Sequence, residues 1–135
     1  YQERCLWDAK RKLYEKGIKD DAQDEVLDFL IEEGYIDEER FAKSFCRGKF
    51  GMKKWGKGRI RRELAFRDIP KSLIEEGLKE IDDVAYFDTL LNEAEKKWEQ
   101  TKESEPFKKR FKVIGYLMQK GFEKDLIEEA MDGLI

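Results

Sequence analysis

Histidine is absent from all 135 residues. That single absence removes Ser-His-Asp and Cys-His catalytic arrangements, the usual imidazole general base and most zinc sites. Only two prolines occur, and valine and threonine are scarce, which argues against a sheet protein. Cys5 and Cys46 are the only cysteines; they lack the spacing of a disulfide framework and read as reduced thiols of a cytoplasmic protein. No apolar run approaches the roughly 18 residues that a membrane span needs. A secretory signal is also missing, and the chain opens on Tyr1 rather than Met, so its true start is expected upstream. Neither a Gly-x4-Gly-Lys-Ser/Thr phosphate loop nor a dinucleotide fingerprint is found. Together these absences predict no catalytic residues, no metal and no cofactor.

What the chain does contain is charge and periodicity. It is 40% hydrophobic and 44% charged, a balance that suits thin helical layers with much exposed surface. A helix-turn pattern occurs three times, at Leu13-x4-Ile18, Leu64-x4-Ile69 and Leu117-x4-Phe122, spaced by 51 and 53 residues. The last two copies agree further, as both continue into Leu-Ile-Glu-Glu at Leu73–Glu76 and Leu126–Glu129. A repeat of this length marks an array of small helical units that bury their apolar faces against neighbours. The expected fold is all-α: tandem three-helix modules forming an elongated, curved helical array that offers a long surface to an extended partner.

The helices can be placed from their stops and caps. A first helix is expected over about Glu3–Lys16, ended by Gly17, and a second over Asp24–Glu33, ended by Gly34. Asp37 caps a third, with Phe41 and Phe45 facing the core, and closes module 1 at residues 1–50. Module 2, residues 51–101, opens with a basic glycine-rich loop at 51–58. Ile60 and Leu64 mark its first buried face. Asp68 stands where the other copies carry Gly17 and Gly121 and tolerates the same cap less easily, and Pro70 starts the next helix at its first position. Ile74, Gly77, Leu78 and Ile81 line the inner face of that helix. Ile81-Asp82-Asp83 repeats Ile36-Asp37-Glu38 and opens a longer helix with Phe87, Leu90, Leu91, Ala94 and Trp98 on one stripe. After a polar break at 99–106, module 3 (residues 102–135) supplies helices near Phe107–Lys120 and Glu123–Leu134. The third helix of the repeat does not follow, so module 3 reads as incomplete.

The net charge of −3 hides a sorting of charge along the chain. Between Lys43 and Arg67 lie ten cations and one acid, Glu63, leaving that segment at +9 and the remainder at −12. First helices carry Lys10-Arg11-Lys12, Arg59-x-Arg61-Arg62 and Lys108-Lys109-Arg110. Second helices are acidic, as at Asp24-Glu25, Glu75-Glu76 and Glu128-Glu129. Solvated faces and internal pairing account for most charged helices, but the +9 island is too one-sided to neutralise itself. It suits nucleic acid or an acidic groove on a protein. Within it, Lys53-Lys54-Trp55-Gly56-Lys57-Gly58 is the sharpest feature, because the glycines flanking Lys57 free the backbone. Trp55 either anchors this loop or offers its ring to a base or a partner side chain. Phe66 points away from the Ile60/Leu64 stripe and either packs on a neighbouring module or makes an exposed contact.

These residues carry a family resemblance. Gly34-Tyr35-Ile36-Asp37-Glu38-Glu39-Arg40-Phe41-Ala42-Lys43-Ser44-Phe45, followed by Lys53-Lys54-Trp55-Gly56 and then Ile60-x2-Glu63-Leu64, resembles the signature of the RecX regulatory family. The likeness covers nearly the whole chain, and its ordered series over residues 30–78 is specific. It implies tandem three-helix modules in bacterial cytoplasmic proteins that bind the RecA recombinase filament on single-stranded DNA. Such proteins restrain its ATPase, strand-exchange and coprotease activities, and several bind DNA themselves. Carried over by position, Asp37 is a cap, Phe41 is core, and Arg40 is either a partner contact or an ion pair within its module. Lys53, Lys54, Lys57, Arg59 and Arg62 fall in the family's basic stretch, and Lys43, Arg47 and Trp55 complete the expected partner-binding set. Asp68 and Cys46 depart from the family pattern, as does the short third module.

The function expected is therefore a non-enzymatic regulator, a monomer by default, whose partners are a RecA-type recombinase filament and single-stranded DNA, with no membrane role. Two rivals remain at this level. One is a general single-stranded nucleic-acid-binding module that competes for DNA; the other is a protein–protein adaptor using the acidic second helices. A helix-turn-helix transcription factor fits poorly, as no helix pair shows a basic recognition helix with base-reading polar residues.

Overall fold

The computed structural model describes residues 3–134 and contains eight helices among them. They are α1 (Leu6–Glu15), α2 (Asp20–Glu32), α3 (Glu38–Lys53), α4 (Lys57–Phe66), α5 (Lys71–Leu78), α6 (Asp83–Gln100), α7 (Pro106–Gln119) and α8 (Lys124–Asp132). The all-α expectation holds; the extended pairing among the described residues is an isolated parallel bridge between Arg4 and Ile36. The chain divides into two compact units. One runs through Cys46 and takes in Glu63–Glu80; the other comprises Arg47–Arg62 and the chain from Ile81 onward. Helices α3 and α4 each contribute residues to both.

The repeated Leu-x4-Ile/Phe pattern has a specific physical origin. At each copy the helix ends in a left-handed residue that lets two backbone N–H groups turn back onto the last carbonyls. Ile18 N–H reaches Leu13 C=O (2.9 Å) and Gly17 N–H reaches Tyr14 C=O (3.0 Å). The same pair of bonds joins Ile69 to Leu64 (3.1 Å) and Asp68 to Ala65 (3.0 Å), then Phe122 to Leu117 (3.2 Å) and Gly121 to Met118 (3.0 Å). The leucine and the residue five positions later are the two side chains this motif brings into contact, so both are apolar. A fourth copy ends α2: Tyr35 N–H bonds Leu30 C=O (2.8 Å), and Gly34 takes φ +77°. Asp68 is the one position of the four where a side chain occupies the left-handed region, at φ +58°.

Helix starts follow an equally local rule. Asp37 Oδ1 accepts from Arg40 N–H (3.0 Å) and Asp82 Oδ2 from Ala85 N–H (2.9 Å), each satisfying a donor of the first helical turn. Ile36 and Ile81 precede these caps, Phe41 and Tyr86 lie four residues beyond them, and all four are buried, the placement of a hydrophobic staple.

In the first unit, Ala9, Leu27 and Ile36 form a core cluster completed by Leu6, Leu13 and Leu30. Gly77 of α5 comes so close to α3 that a Cβ there would lie 3.0 Å from Ala42 C=O and 3.1 Å from Cys46 Sγ. The small Cys46 side chain accommodates this approach. Both cysteines are free and buried, and burial pushes the Cys5 thiol up to about 11, so it stays protonated at neutral pH. In the second unit α6, α7 and α8 pack on one another. Leu90, Ala94, Val113, Leu117, Ile127, Ala130 and Met131 fill its interior.

Several boundaries differ from expectation. α2 begins at Asp20 rather than Asp24, since Asp20 and Asp21 complement the positive end of the helix. α3 continues to Lys53 instead of ending near residue 50, so the loop expected at 51–58 shrinks to Lys54–Gly56. A mid-helix glycine lowers helix propensity by only about 1 kcal/mol, and Gly51 is absorbed into the last turn. Pro70 is the N-cap of α5, not its first helical residue. On α6 the deepest residues are Tyr86, Leu90 and Ala94, at four-residue spacing; Phe87, Leu91 and Trp98 sit at the half-buried edge of that stripe. Phe66 is 65% exposed, and its ring lies 5.2 Å from that of Trp7.

A candidate partner-binding surface

The stretch Arg47–Arg62 carries eight cations and no acid, and all of it belongs to the second unit. It comprises the end of α3, a three-residue turn and the first half of α4. α3 stops because Lys54 takes φ +58°, which turns the chain; Lys54 N–H bonds Phe50 C=O (3.1 Å) and Trp55 N–H bonds Lys49 C=O (3.1 Å). The Lys54 ammonium folds back to donate to Gly51 C=O at 2.7 Å.

The turn is held rather than free. Gly56 N–H donates to Lys120 C=O (2.8 Å) and Gly58 N–H to Gly121 C=O (2.9 Å), docking it on the C-terminal end of α7. A Cβ on Gly56 would fall 2.3 Å from the Gly121 carbonyl carbon, and one on Gly121 would fall 2.4 Å from Arg59 N. No side chain fits there. The glycines expected to loosen the backbone around Lys57 instead allow two backbones to touch, which rigidifies it.

Tyr86 completes the clamp. Its hydroxyl accepts from Lys57 N–H at 2.9 Å and donates to the Glu123 carboxylate. Burial and then the Glu123 carboxylate drive the Tyr86 phenol well above its ordinary value, so it remains a donor. Its ring packs between those of Phe50 (5.7 Å) and Phe122 (5.3 Å). Neither Tyr86 nor Glu123 was marked by the sequence as belonging to this region. The only available sign was the Gly-x-Gly beside a glycine-ended helix 65 residues from Gly56, at Gly121.

The candidate residues now separate into three groups. Arg47, Lys53, Lys54 and Arg62 are exposed. Lys57, Trp55 and Arg59 are partly buried and serve the surface itself: the Lys57 ammonium lies 4.8 Å over the Tyr86 ring and 3.6 Å from Asp83 Oδ1. Arg59 lies 4.2 Å and Lys49 5.1 Å from the centroid of the Trp55 ring, so the tryptophan already holds two cations. The third group, Arg40 and Lys43, lies in the first unit. Arg40 Nε meets both carboxylate oxygens of Glu3, at 2.8 and 2.9 Å, and Nη2 donates to Gly34 C=O (2.8 Å), which makes it an ion pair within its module. Lys43 donates to Glu39 at 3.0 Å, and this bond raises its pKa, assisted by the Glu39, Glu80 and Glu76 charges. Arg67, counted with the basic island, is likewise engaged within the first unit, by Glu63 (3.2 Å) and Asp8 (3.9 Å).

Among the described residues no group of acids and cysteines is arranged to hold a metal ion, and no helix is long and apolar enough to cross a membrane. What the arrangement offers chemically is a fixed rail of positive charge with a cation-capped aromatic at its centre.

Comparison with known proteins agrees with the resemblance read from the sequence. Two family models match, described as the second three-helix domain of RecX over residues 37–78 and the third three-helix domain of RecX over residues 85–131. These segments hold α3–α5 and α6–α8. A regulatory protein RecX of Pseudomonas putida (strain GB-1) is 31% identical over 123 residues, covering 91% of this chain and 77% of the relative. That of Prosthecochloris aestuarii is 28% identical over 134 residues, covering 99% and 86%. That of Clostridioides difficile (strain 630) is 27% identical over 130 residues, and there the chain spans only 61% of the relative's length. Two solved structures share the fold at 25% identity. A crystal structure of regulatory protein RecX has a TM-score of 0.88 and covers 98% of this chain and 65% of its own. RecX from Lactobacillus salivarius has a TM-score of 0.83 and covers 99% and 87%.

Proposed function

The chain belongs to the RecX family of regulatory proteins, and on that premise we propose that it binds a RecA-type recombinase filament on single-stranded DNA and restrains its activities. The observation that carries the reading is the Arg47–Arg62 rail: eight cations, no acid, on a backbone locked by Gly56, Gly58, Gly121 and Tyr86. A rigid cationic rail loses little conformational entropy when it meets phosphates or an acidic protein groove. By favouring one state of the filament, the protein opposes the cycling that ATP hydrolysis and subunit exchange require, with no catalytic group of its own. The site of action is then the bacterial cytoplasm, and the working species a monomer.

The test is single-strand-dependent ATP hydrolysis by a RecA-type recombinase at fixed DNA, titrated with this chain. Inhibition well below one chain per recombinase, unrelieved by extra single strand, is expected. Inhibition abolished by excess DNA would reduce the activity to competition for DNA, and no inhibition at all would overturn the proposal.

A further inference from the structure

Helix α7 carries a second apolar stripe that its own unit does not use. Val113 and Leu117 are fully buried, while Phe107 and Phe111 are each 74% exposed, Met118 is 46% exposed and Ile114 is partly exposed. Phe107, Phe111, Ile114 and Met118 follow one another at intervals of four, three and four residues. That is the spacing of a helix-pairing seam, which places all four on one side of the helix over three turns. Exposed apolar side chains scattered singly need no explanation, but four in register on one helix do.

The charge around the seam specifies what it would accept. Pro106–Gln119 contains four cations, Lys108, Lys109, Arg110 and Lys112, and no acid. At about 100° per residue Lys108 flanks one edge of the seam and Arg110 the other, while Lys112 lies further round the helix. Each of these three already holds a carboxylate of the surrounding chain: Lys112 to Glu103 at 3.0 Å, Arg110 to Asp132 at 3.0 Å and Lys108 to Glu105 at 3.5 Å. The Lys108–Glu105 pair is exposed on both sides and contributes little, and Arg110 is held by the exposed Asp132, so both cations can exchange their carboxylates for those brought by a partner. Lys112 is committed to the more buried Glu103. Nucleic acid fits the seam less well. A stacking platform needs π faces, and half of this seam is Ile114 and Met118.

We propose that the outer seam of α7 is a docking surface for an acidic amphipathic helix of a partner protein. The four apolar residues receive the partner's apolar stripe, and Lys108 and Arg110 meet its flanking carboxylates. This goes beyond the filament-regulating role and does not depend on it. One helical seam is small, so the expected Kd is on the order of 10 µM.

The probe is a fluorescein-labelled peptide of about three heptads with leucine at the pairing positions and glutamate at the flanks. Its partners in the experiment are the same peptide with lysine flanks, a scrambled glutamate-rich peptide of equal charge, and an oligo(dT) strand. Fluorescence anisotropy with the whole chain should show the acidic amphipathic peptide bound at least about tenfold more tightly than the other two peptides. Phe107→Ser with Phe111→Ser should weaken that binding by about tenfold or more, as loss of central aromatic anchors does. Both residues are exposed, so the melting curve should be unchanged. Lys108→Glu with Arg110→Glu should reverse the preference toward the lysine-flanked peptide, which tests the proposal even if the serine variant is unstable. The proposal is overturned if the scrambled peptide binds equally well, if the phenylalanine variant binds as the parent does, or if no amphipathic peptide binds. It is equally overturned if oligo(dT) displaces the peptide and needs the same phenylalanines.

Discussion

At the scale of single residues, the left-handed position that ends each repeated helix is the sharpest test of the account. Asp68 takes φ +58° where Gly17, Gly34 and Gly121 occupy the same place. An L side chain there crowds the following carbonyl, so Asp68→Gly should stabilise the fold by roughly 0.5–1 kcal/mol in urea unfolding, after allowance for glycine's freedom in the unfolded chain. The opposite change at Gly121 meets two obstacles, φ +103° and the Arg59 backbone. Gly121→Ala should cost about 3 kcal/mol or more, while Gly115→Ala, in open space on α7, should stabilise by about 0.5–1 kcal/mol. Tyr86→Phe keeps the ring but strands Lys57 N–H and the Glu123 carboxylate, and should lower stability by about 1–3 kcal/mol in the same measurement. Equal effects of the two alanine substitutions would refute the close approach of the backbones.

At the scale of elements, the rail made by the end of α3 and the start of α4 contains two kinds of cation. Lys53, Lys54 and Arg62 are exposed, while Lys57 is packed on Tyr86. If the rail meets single-stranded DNA, the triple variant Lys53→Ala, Lys54→Ala, Arg62→Ala should make the log–log salt dependence of binding shallower by about 2, since each lost phosphate contact removes about 0.7. Lys57→Ala should change that slope less and instead lower stability by about 0.5–1 kcal/mol through loss of the ring contact. An unaltered slope in the triple variant would remove these residues from DNA contact. The elements themselves were largely legible beforehand. Leu-x4-Ile and Ile-Asp-Glu are local devices, with hydrogen bonds spanning three to five residues, so their residues suffice to declare them. The loop at 51–58 was misread because glycine usually signals a break, and no local rule reports the backbone of Gly121 lying against it.

At the scale of the whole molecule, a net charge of −3 coexists with a stretch of +8, leaving −11 on the rest. If the partner is DNA or an acidic filament surface, repulsion by that acidic remainder should favour encounters led by the rail. Charge reversal there, with Lys53→Glu, Lys54→Glu and Arg62→Glu, should raise the amount of chain needed to halve recombinase ATPase by about tenfold or more, with thermal unfolding little changed. Retained potency would transfer the contact to another face of the protein.

The sequence by itself determined the class of fold, the helix ends marked by the Leu-x4-Ile/Phe pattern, the two aspartate caps and the family, because each rests on interactions between near neighbours along the chain or on an ordered motif. Only the tertiary structure decided which charges remain turned outward. Arg40 is committed to Glu3 across 37 residues, Lys57 to Tyr86 across 29, and Lys120 to Glu93 across 27. A cation's availability depends on what the fold places within a few ångströms of it, and spacing along the chain carries no record of that distance.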